Sequence, residues 1–255
     1  MQKQRYIGVD YHRKFSYMTV VDEKGTIMRE GIVNNSKEAV ASFLSRAQCD
    51  GNSAAMLEAS RNWPVMYDWL EELVSEVHLA HSLKVKAIAE AKIKTDKIDA
   101  RVLAHLLRSD LLPEAYMASP EARQVRSVLR QRMFFVRMRT MVKNRVSGLL
   151  DRYPELSQQR PCKDIFSQRE QSWLKQLQVK EADRRVLDED LELFEALQER
   201  IAKSDSLVRE LARGDRRVKI LKTIPGIGDF FSVLIAYEVD DIRRFASEKK
   251  FFSYI

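Results

Sequence analysis

The chain has 255 residues, of which 45% are hydrophobic and 32% charged, with only eight glycines and six prolines. This composition excludes a disordered or fibrous chain and is typical of a helix-rich globular protein with room for one large or two ordinary domains. The net charge of +7 comes from the second half, because residues 1–118 hold 16 basic and 16 acidic side chains and residues 119–255 hold 28 and 21.

Neither export nor membrane insertion is indicated. The N-terminus MQKQRYIGVD lacks the apolar core of a signal peptide, and no run of about 18 apolar residues predicts a membrane span. The cysteines Cys49 and Cys162 lie far apart without zinc-binding spacing, which fits a reducing compartment. We therefore expect a cytoplasmic protein without a membrane partner.

The first third of the chain alternates strands with helices. Residues rich in β-branched and aromatic side chains predict three strands, at 5–10, 15–22 and 26–34. The elements predicted after them are a helix at 36–46 with Ser36 as N-cap, a strand at 53–58, a helix at 64–75, a strand at 77–80, and helices at 85–90 and 98–109. This order predicts an α/β domain of the ribonuclease-H-like fold over residues 1–118.

Long helices are expected beyond a boundary at Ser119-Pro120. Apolar residues recur at helical spacing over residues 122–150. The other faces of this helix carry basic side chains and no acid, namely Arg123, Arg126, Arg130, Arg132, Arg137, Arg139, Lys143 and Arg145. Solvated faces usually mix both signs, so the pattern favours contact with nucleic-acid phosphates, and packing on a partner helix or an ordinary surface remains open.

A second long helix is predicted over residues 180–213. Its apolar residues follow a heptad-like seam, made of Leu187, Leu191, Phe194, Ile201, Val208 and Leu211. The seam predicts a coiled coil in the segment 119–213. Two arrangements remain open, an antiparallel hairpin with the helix at 122–150 and a contact between two copies of the chain.

Four acidic residues are candidates for one metal site. Asp10 ends the first strand and Glu58 ends the strand at 53–58, and strand ends on one side of a sheet can bring such residues together. Asp96 and Asp99 are three residues apart on a helix, which places their Cβ atoms about 5–6 Å apart on one face. Mg²⁺ and Mn²⁺ prefer oxygen ligands, and two ions about 4 Å apart can hold the attacking and leaving oxygens of a phosphodiester.

Lysines surround the second pair of acids. We expect Lys92, Lys94 and Lys97 to offset phosphate charge rather than form salt bridges. Each acid also has an ordinary interpretation that spacing alone leaves open: Asp10 opens a turn, Asp96 caps a helix, Asp99 favours the helix N-terminus, and Glu58 pairs with Arg61.

Four stretches together resemble a known family: YIGVDYHRK, LEAS, KTDKIDARVLAHLLR and LKTIPGIGDFFSVLIAYEVDDIRRFASEKKFFSYI. They are similar to the insertion sequence 110 family of transposases, relatives of the pilin-gene invertase Piv, over nearly the whole chain. The resemblance implies a RuvC-like first domain with an Asp-Glu-Asp-Asp site for Mg²⁺ or Mn²⁺, which maps onto Asp10, Glu58, Asp96 and Asp99. It also implies a coiled-coil segment and a C-terminal transposase domain, here starting over residues 214–255.

The resemblance implies a prokaryotic DNA recombinase that moves its own element. Some family members are directed by a structured bridge RNA that pairs with donor and target DNA, and we expect a homo-oligomer. The family's nucleophilic serine follows a segment like FFSYI, so a chain that stops at Ile255 looks truncated, and neither Ser247 nor Ser253 takes that role. The alternatives are a metal-dependent nuclease of the Holliday-junction-resolvase type and a non-catalytic nucleic-acid-binding protein.

The sequence Ile224-Pro225-Gly226-Ile227-Gly228 is a candidate phosphate contact. It resembles the hairpin of helix-hairpin-helix modules, in which glycines such as Gly226 and Gly228 allow close backbone approach and the next helix offers amide donors. The alternative is a plain turn between helices that end near Lys222 and begin near Asp229.

Overall fold

The computed structural model describes residues 5–49, 51–59, 62–88, 95–157, 165–167 and 171–254. The chain divides into two compact units, Met1–Met117 and Ala118–Ile255. Within the described ranges, no helix is both long enough and apolar enough to cross a membrane.

The first unit contains a mixed five-stranded sheet. Its strands are β1 (Arg5–Tyr11), β2 (Phe15–Val21), β3 (Ile27–Asn34), β4 (Ser53–Glu58) and β5 (Glu76–Ala80). The order across the sheet is β3-β2-β1-β4-β5, with β1, β2 and β3 antiparallel and with β4 and β5 parallel to β1. The predicted α/β class is confirmed, and this arrangement is consistent with a ribonuclease-H-like domain.

Four helices accompany the sheet: α1 (Lys37–Arg46), α2 (Trp63–Glu71), α3 (Ser82–Ile88) and α4 (Asp96–Arg108). Ser36 caps α1 as predicted, since its side chain accepts a hydrogen bond from the Ala39 amide. The cap of α4 is Thr95, whose hydroxyl accepts from the Ile98 amide, so Asp96 is the first helical residue and not the cap. The predicted end of α2 at residue 75 is wrong, because Leu73 and Val74 both bond back to the Leu70 carbonyl and close the helix.

The side chains of β1 alternate between two packed faces, as expected for a strand covered on both sides. Ile7 and Val9 are fully buried in a core with residues of α1 and α2. Tyr6 faces the other way and is buried with Leu103 and Leu107 of α4. Gly8 lies on that second face, where an added Cβ would be 2.0 Å from the Ala100 carbonyl oxygen and 2.5 Å from the Ala104 nitrogen. The backbone of α4 therefore rests directly on β1.

The second unit is helical. Its elements are α5 (Pro120–Leu150), α6 (Pro154–Ser157), α7 (Gln171–Gln176), α8 (Glu181–Leu211), α9 (Arg216–Leu221), α10 (Asp229–Val239), a turn of 3-10 helix (Ile242–Arg244) and α11 (Glu248–Phe252). The long helices α5 and α8 pack together, with Arg132 near one end of the contact bound to Asp205 and Arg145 near the other bound to Asp190. Because residue numbers rise along α5 while they fall along α8, the pair is antiparallel.

The apolar seam of α8 faces α5 inside the same chain. Leu187, Leu191 and Phe194 are buried in one cluster with Val142 and Val146 of α5. Leu211, the last predicted member of the seam, is 38% exposed. Of the two arrangements left open by the sequence, the intramolecular hairpin is present, whereas a coiled coil between copies of the chain stays a prediction.

We predict that Gly8→Ala destabilises the protein by about 1–3 kcal/mol or more, the cost of overpacking a site whose neighbours are backbone atoms. The matched control is Gly148→Ala on α5, where an added Cβ meets nothing within 4 Å and a helical alanine should stabilise by roughly 0.5–1 kcal/mol. Urea unfolding of both variants measures the difference. Equal stabilities of Gly8→Ala and the unmodified chain would contradict the close contact between α4 and β1.

Candidate metal centre

Asp10 lies near the end of β1, and His12 lies in the turn that follows this strand. Asp10 still pairs with Tyr17 across the β1–β2 ladder. Beyond the strand, the His12 amide donates to the Phe15 carbonyl at 3.0 Å, and the Asn35 side-chain amide donates to the His12 carbonyl at 2.7 Å. The His12 ring packs on the Phe15 ring at 5.1 Å between centroids. The backbone and the ring of His12 are thus both held in place.

Asp10, His12 and Asp96 form a compact group of possible metal ligands. The His12 Nε2 atom lies 3.0 Å from Asp10 Oδ2 and 3.2 Å from Asp96 Oδ1. One ligand atom from each residue lies within 4.8 Å of the other two. The Asp10 side chain is 16% exposed, whereas those of His12 and Asp96 are 41% and 45% exposed. The group is therefore shielded from solvent at Asp10 and open to solvent at His12 and Asp96.

The electrostatic environment of Asp10 favours a bound cation. Burial raises the pKa of the Asp10 carboxyl, His12 opposes that rise, and the charges of Asp96 and Asp99 add to it. A carboxylate that is both desolvated and close to other carboxylates is stabilised when a cation joins them. Oxygen ligands of this kind, with one imidazole, suit a divalent ion, so the donor set fits the metal that the family resemblance implies.

Glu58 and Asp99 lie near this group but are not among the residues whose ligand atoms lie within 4.8 Å of one another. Val9 of β1 pairs with Leu57 of the parallel strand β4, so Asp10 and Glu58 occupy the next positions on neighbouring strands and the same face of the sheet. Asp99 is one turn along α4 from Asp96, close enough for its charge to raise the pKa of Asp10. The structure brings Asp10 and Asp96 together, and the complete four-acid site stays a prediction.

His12 is the site residue that the sequence reasoning missed. A signal for it exists, because His12 is only two positions from Asp10 and imidazole is a common metal ligand. The sequence prediction named acids alone as ligands.

Lys97, one of the lysines expected to form no salt bridge, forms an ion pair with Glu30. Its Nζ atom lies 2.7 Å from Glu30 Oε1, so the prediction that it forms no salt bridge is wrong. Arg101 donates to both oxygens of the same carboxylate, at 2.7 and 2.8 Å. Glu30 lies on β3, whereas Lys97 and Arg101 lie on α4. These ion pairs therefore link α4 to the sheet. Lys92 and Lys94 lie outside the described residues, and phosphate binding by the three lysines stays a prediction.

Acids from other helices neutralise part of the basic face of α5. Arg132 donates to Asp205 at 2.9 Å, and Arg145 pairs with the buried Asp190 at 3.1 Å. Arg126 donates to the carbonyls of Tyr237 and Glu238. These contacts come from α8 and α10, so the lack of acids within residues 122–150 does not leave these three arginines unpaired.

The other basic residues of α5 differ in exposure. Arg139 donates to the Gln198 side chain at 2.6 Å, and Lys143 lies 4.9 Å from the centroid of the Phe166 ring. Arg123 is half-buried, whereas Arg137 is exposed. Arg130 is 68% exposed and lies 3.7 Å from Glu238. Binding of nucleic acid by this helix stays a prediction, and Arg130 and Arg137 are the members best placed for it.

The Pro-Gly-Ile-Gly segment joins α9 to α10, as expected. Gly226 has a φ of +89°, which favours glycine, and Gly228 precedes the first residue of α10. Lys222 and Asp229 form an ion pair across the segment at 2.5 Å. Contact of this hairpin with phosphate stays a prediction.

The sheet order and the acidic group are consistent with an α/β domain of the ribonuclease-H-like kind. Residues 7–154 match a transposase profile of the DEDD type from IS110 elements. Residues 218–255 match a second profile, described as transposase of the IS116/IS110/IS902 family. The chain belongs to the IS110 family of transposases, which confirms the resemblance seen in the sequence.

A curated relative is also described as a transposase. It is a "probable family 20 transposase" of Pseudomonas aeruginosa, and it is 26% identical over 196 residues. The aligned part covers 73% of this chain and 56% of the relative, so the chain spans just over half of that relative's length.

We predict that Glu30→Gln makes the protein less stable at neutral pH and less sensitive to acid. Hydrogen bonds from Arg101 lower the pKa of Glu30 from 4.5 to about 2. A lowered carboxyl pKa contributes stability above pH 4.5, and that contribution disappears as the pH falls towards 2. The partly exposed pair should contribute about 1 kcal/mol.

Unfolding by urea at a series of pH values between 7 and about 2 measures this contribution. The control is Glu71→Gln, which changes an exposed acid at the end of α2. If Glu30→Gln and Glu71→Gln lose stability in parallel on acidification, the Glu30 contacts do not fasten α4.

Proposed function

We propose that this chain supplies the metal-dependent, DNA-processing centre of a transposase that moves an insertion sequence. The observation that carries this proposal is the group formed by Asp10, His12 and Asp96 at the end of β1. Membership of the IS110 family supports the same conclusion. Glu58 and Asp99, beside the group, complete the acidic set that the family resemblance implies.

Asp10, Glu58, Asp96 and Asp99 would hold Mg²⁺ or Mn²⁺, which supplies Lewis-acid stabilisation of charge on a phosphodiester when bound. The protein's own part is to orient the ligands. The contact of α4 with β1 at Gly8 sets the distance between Asp96 and Asp10, and the Glu30 contacts with Lys97 and Arg101 hold the first turns of α4. Burial of Asp10 limits the access of water to one side of the site.

The proposed partners are donor and target DNA, a structured guide RNA and further copies of the chain. Arg130 and Arg137 supply exposed positive charge on α5 for phosphate contact. We expect residues 1–255 to bind divalent metal and DNA, and failure to bind either would contradict the proposal.

The second candidate function is a metal-dependent nuclease of the Holliday-junction-resolvase type. It is favoured by one observation, namely that the first unit alone provides the acidic group and would need no serine for hydrolysis. Magnesium-dependent cleavage of branched DNA by the 255-residue chain, lost in Asp10→Asn, would establish it. DNA binding without cleavage leaves the transposase proposal in place.

We predict that Asp10→Asn abolishes stabilisation by metal without destabilising the metal-free protein. The raised pKa of Asp10 means that its charge is unfavourable in the folded state, so a neutral side chain of the same shape is tolerated. In the unmodified chain, a divalent ion at 100 times its Kd should add about 2.7 kcal/mol. Thermal unfolding with and without Mn²⁺ or Mg²⁺ measures both effects.

The control for this experiment is Asp110→Asn, which neutralises an exposed aspartate after the end of α4. It should keep the full stabilisation by metal. An unchanged response to metal in Asp10→Asn would remove the basis of the proposed centre.

We predict that the double variant Arg130→Gln, Arg137→Gln weakens DNA binding and lowers the slope of log K against log salt by about 2, one unit for each lost phosphate contact. The comparison variant is Arg132→Gln, whose guanidinium pairs with Asp205 and lies 4.1 Å from the Phe230 ring centroid. It should lose stability and keep the slope. Fluorescence anisotropy over a salt series distinguishes the two results, and identical slopes for all proteins would show that this face does not bind DNA.

A further inference from the structure

His12 is the nitrogen ligand candidate in an otherwise acidic centre. The acids implied by the family resemblance provide only oxygen atoms, and Mg²⁺ is served best by such ligands together with water. The His12 Nε2 atom is directed at the carboxylates of both Asp10 and Asp96. The metal preference of the centre therefore depends on whether this nitrogen binds the ion or only pairs with Asp10 and Asp96.

The position of His12 is built by contacts outside the acidic group. Ser16 is fully buried, and its hydroxyl donates to Asn35 Oδ1 at 2.6 Å. Asn35 in turn donates to the His12 carbonyl at 2.7 Å, and the Phe15 ring packs on the imidazole. These contacts fix the backbone and one face of the ring without using Nε2. Preorganisation of this kind is what a metal ligand requires.

The dimensions of the group fit a shared ion. Metal–nitrogen and metal–oxygen bonds are about 2.0–2.2 Å long for small divalent ions, so two ligand atoms on opposite sides of an ion stand about 4 Å apart. The chosen ligand atoms of Asp10, His12 and Asp96 all lie within 4.8 Å of one another. Binding of an ion here would exchange the present hydrogen bonds for bonds to that ion.

We propose that His12 Nε2 is a direct ligand of the divalent ion, and that it makes the centre prefer a first-row transition ion over Mg²⁺. Imidazole strengthens binding of transition ions more than binding of Mg²⁺, which demands oxygen ligands and gives up water reluctantly. This inference rests on the proposed metal centre and adds the identity of one ligand and the class of metal. The competing arrangement is a His12 that only pairs with Asp10 and Asp96.

Mn²⁺ is the probe for ligation, because its electron spin reports bonded nitrogen. The metal-free chain is loaded with Mn²⁺, and electron spin echo modulation is recorded for the unmodified protein, for His12→Gln and for His105→Gln. His105 is a half-buried histidine of α4 outside the acidic group, which makes it the matched control. We expect ¹⁴N coupling in the unmodified protein and in His105→Gln, and its loss in His12→Gln.

Calorimetric titrations with Mn²⁺, Co²⁺ and Mg²⁺ test the preference. The unmodified chain should bind Mn²⁺ and Co²⁺ more tightly than Mg²⁺. His12→Gln should weaken Mn²⁺ and Co²⁺ by about tenfold or more, the size of loss seen when groups supporting a metal ligand are removed. Its effect on Mg²⁺ should be smaller. Equal losses for all three ions, or no loss, would overturn the preference.

The failure of this inference is distinguishable from failure of the proposed function. Suppose that Mn²⁺ binds the unmodified chain, that Asp10→Asn abolishes this binding, and that no ¹⁴N coupling is seen. This result would exclude His12 as a ligand and leave the metal centre intact. No binding of any of the three ions, or binding that Asp10→Asn leaves unchanged, would sink both. If His12→Gln does not fold, as judged by circular dichroism, the spectrum of the unmodified protein alone decides.

Discussion

The contact between α4 and β1 at Gly8 is the constraint on which the acidic centre depends. A glycine at this position lets the carbonyl of Ala100 and the amide of Ala104 approach the strand where any side chain would intervene. The strand and the helix each carry one part of the centre, Asp10 at the end of the strand and Asp96 in the first turn of the helix. A larger separation of the two backbones would move Asp96 away from Asp10 and His12.

Two carboxylates on the same face of the sheet have pKa values shifted in opposite directions. At Glu30 a single carboxylate is fully matched by Lys97 and Arg101, which lowers its pKa and favours the folded state. At Asp10 burial and neighbouring acids raise the pKa, which disfavours the charged form. Functional sites commonly hold such unfavourable groups, and the surrounding structure compensates for them. Lys97 and Arg101, which pair with Glu30, lie on the same helix as Asp96 and Asp99.

Much of the fold could be predicted because its signals are local. β-Branched and aromatic residues identified the strands, and Ser36 and the helical periodicity of residues 122–150 identified helices. The position of Asp10 and Asp96 as neighbours needed the family resemblance, because a single sequence does not give the order of strands. His12 was missed although its spacing from Asp10 was visible, and Thr95 was passed over as the cap of α4. The partners of Arg132 and Arg145 could not be predicted, since they depend on the register between two helices whose paired residues are 73 and 45 positions apart in the chain.

The antiparallel pairing of α5 with α8 changes how the positive charge of the second unit is available. Asp205 and Asp190 already occupy Arg132 and Arg145, so a polyanion has to displace a carboxylate before it can use those side chains. These acids compete with any polyanion for the two arginines, so the proposed phosphate contact is left to the exposed cations that remain. Substitutions of Asp190 or Asp205 in α8 would then strengthen the attraction of α5 for polyanions in general, without adding a single positive charge.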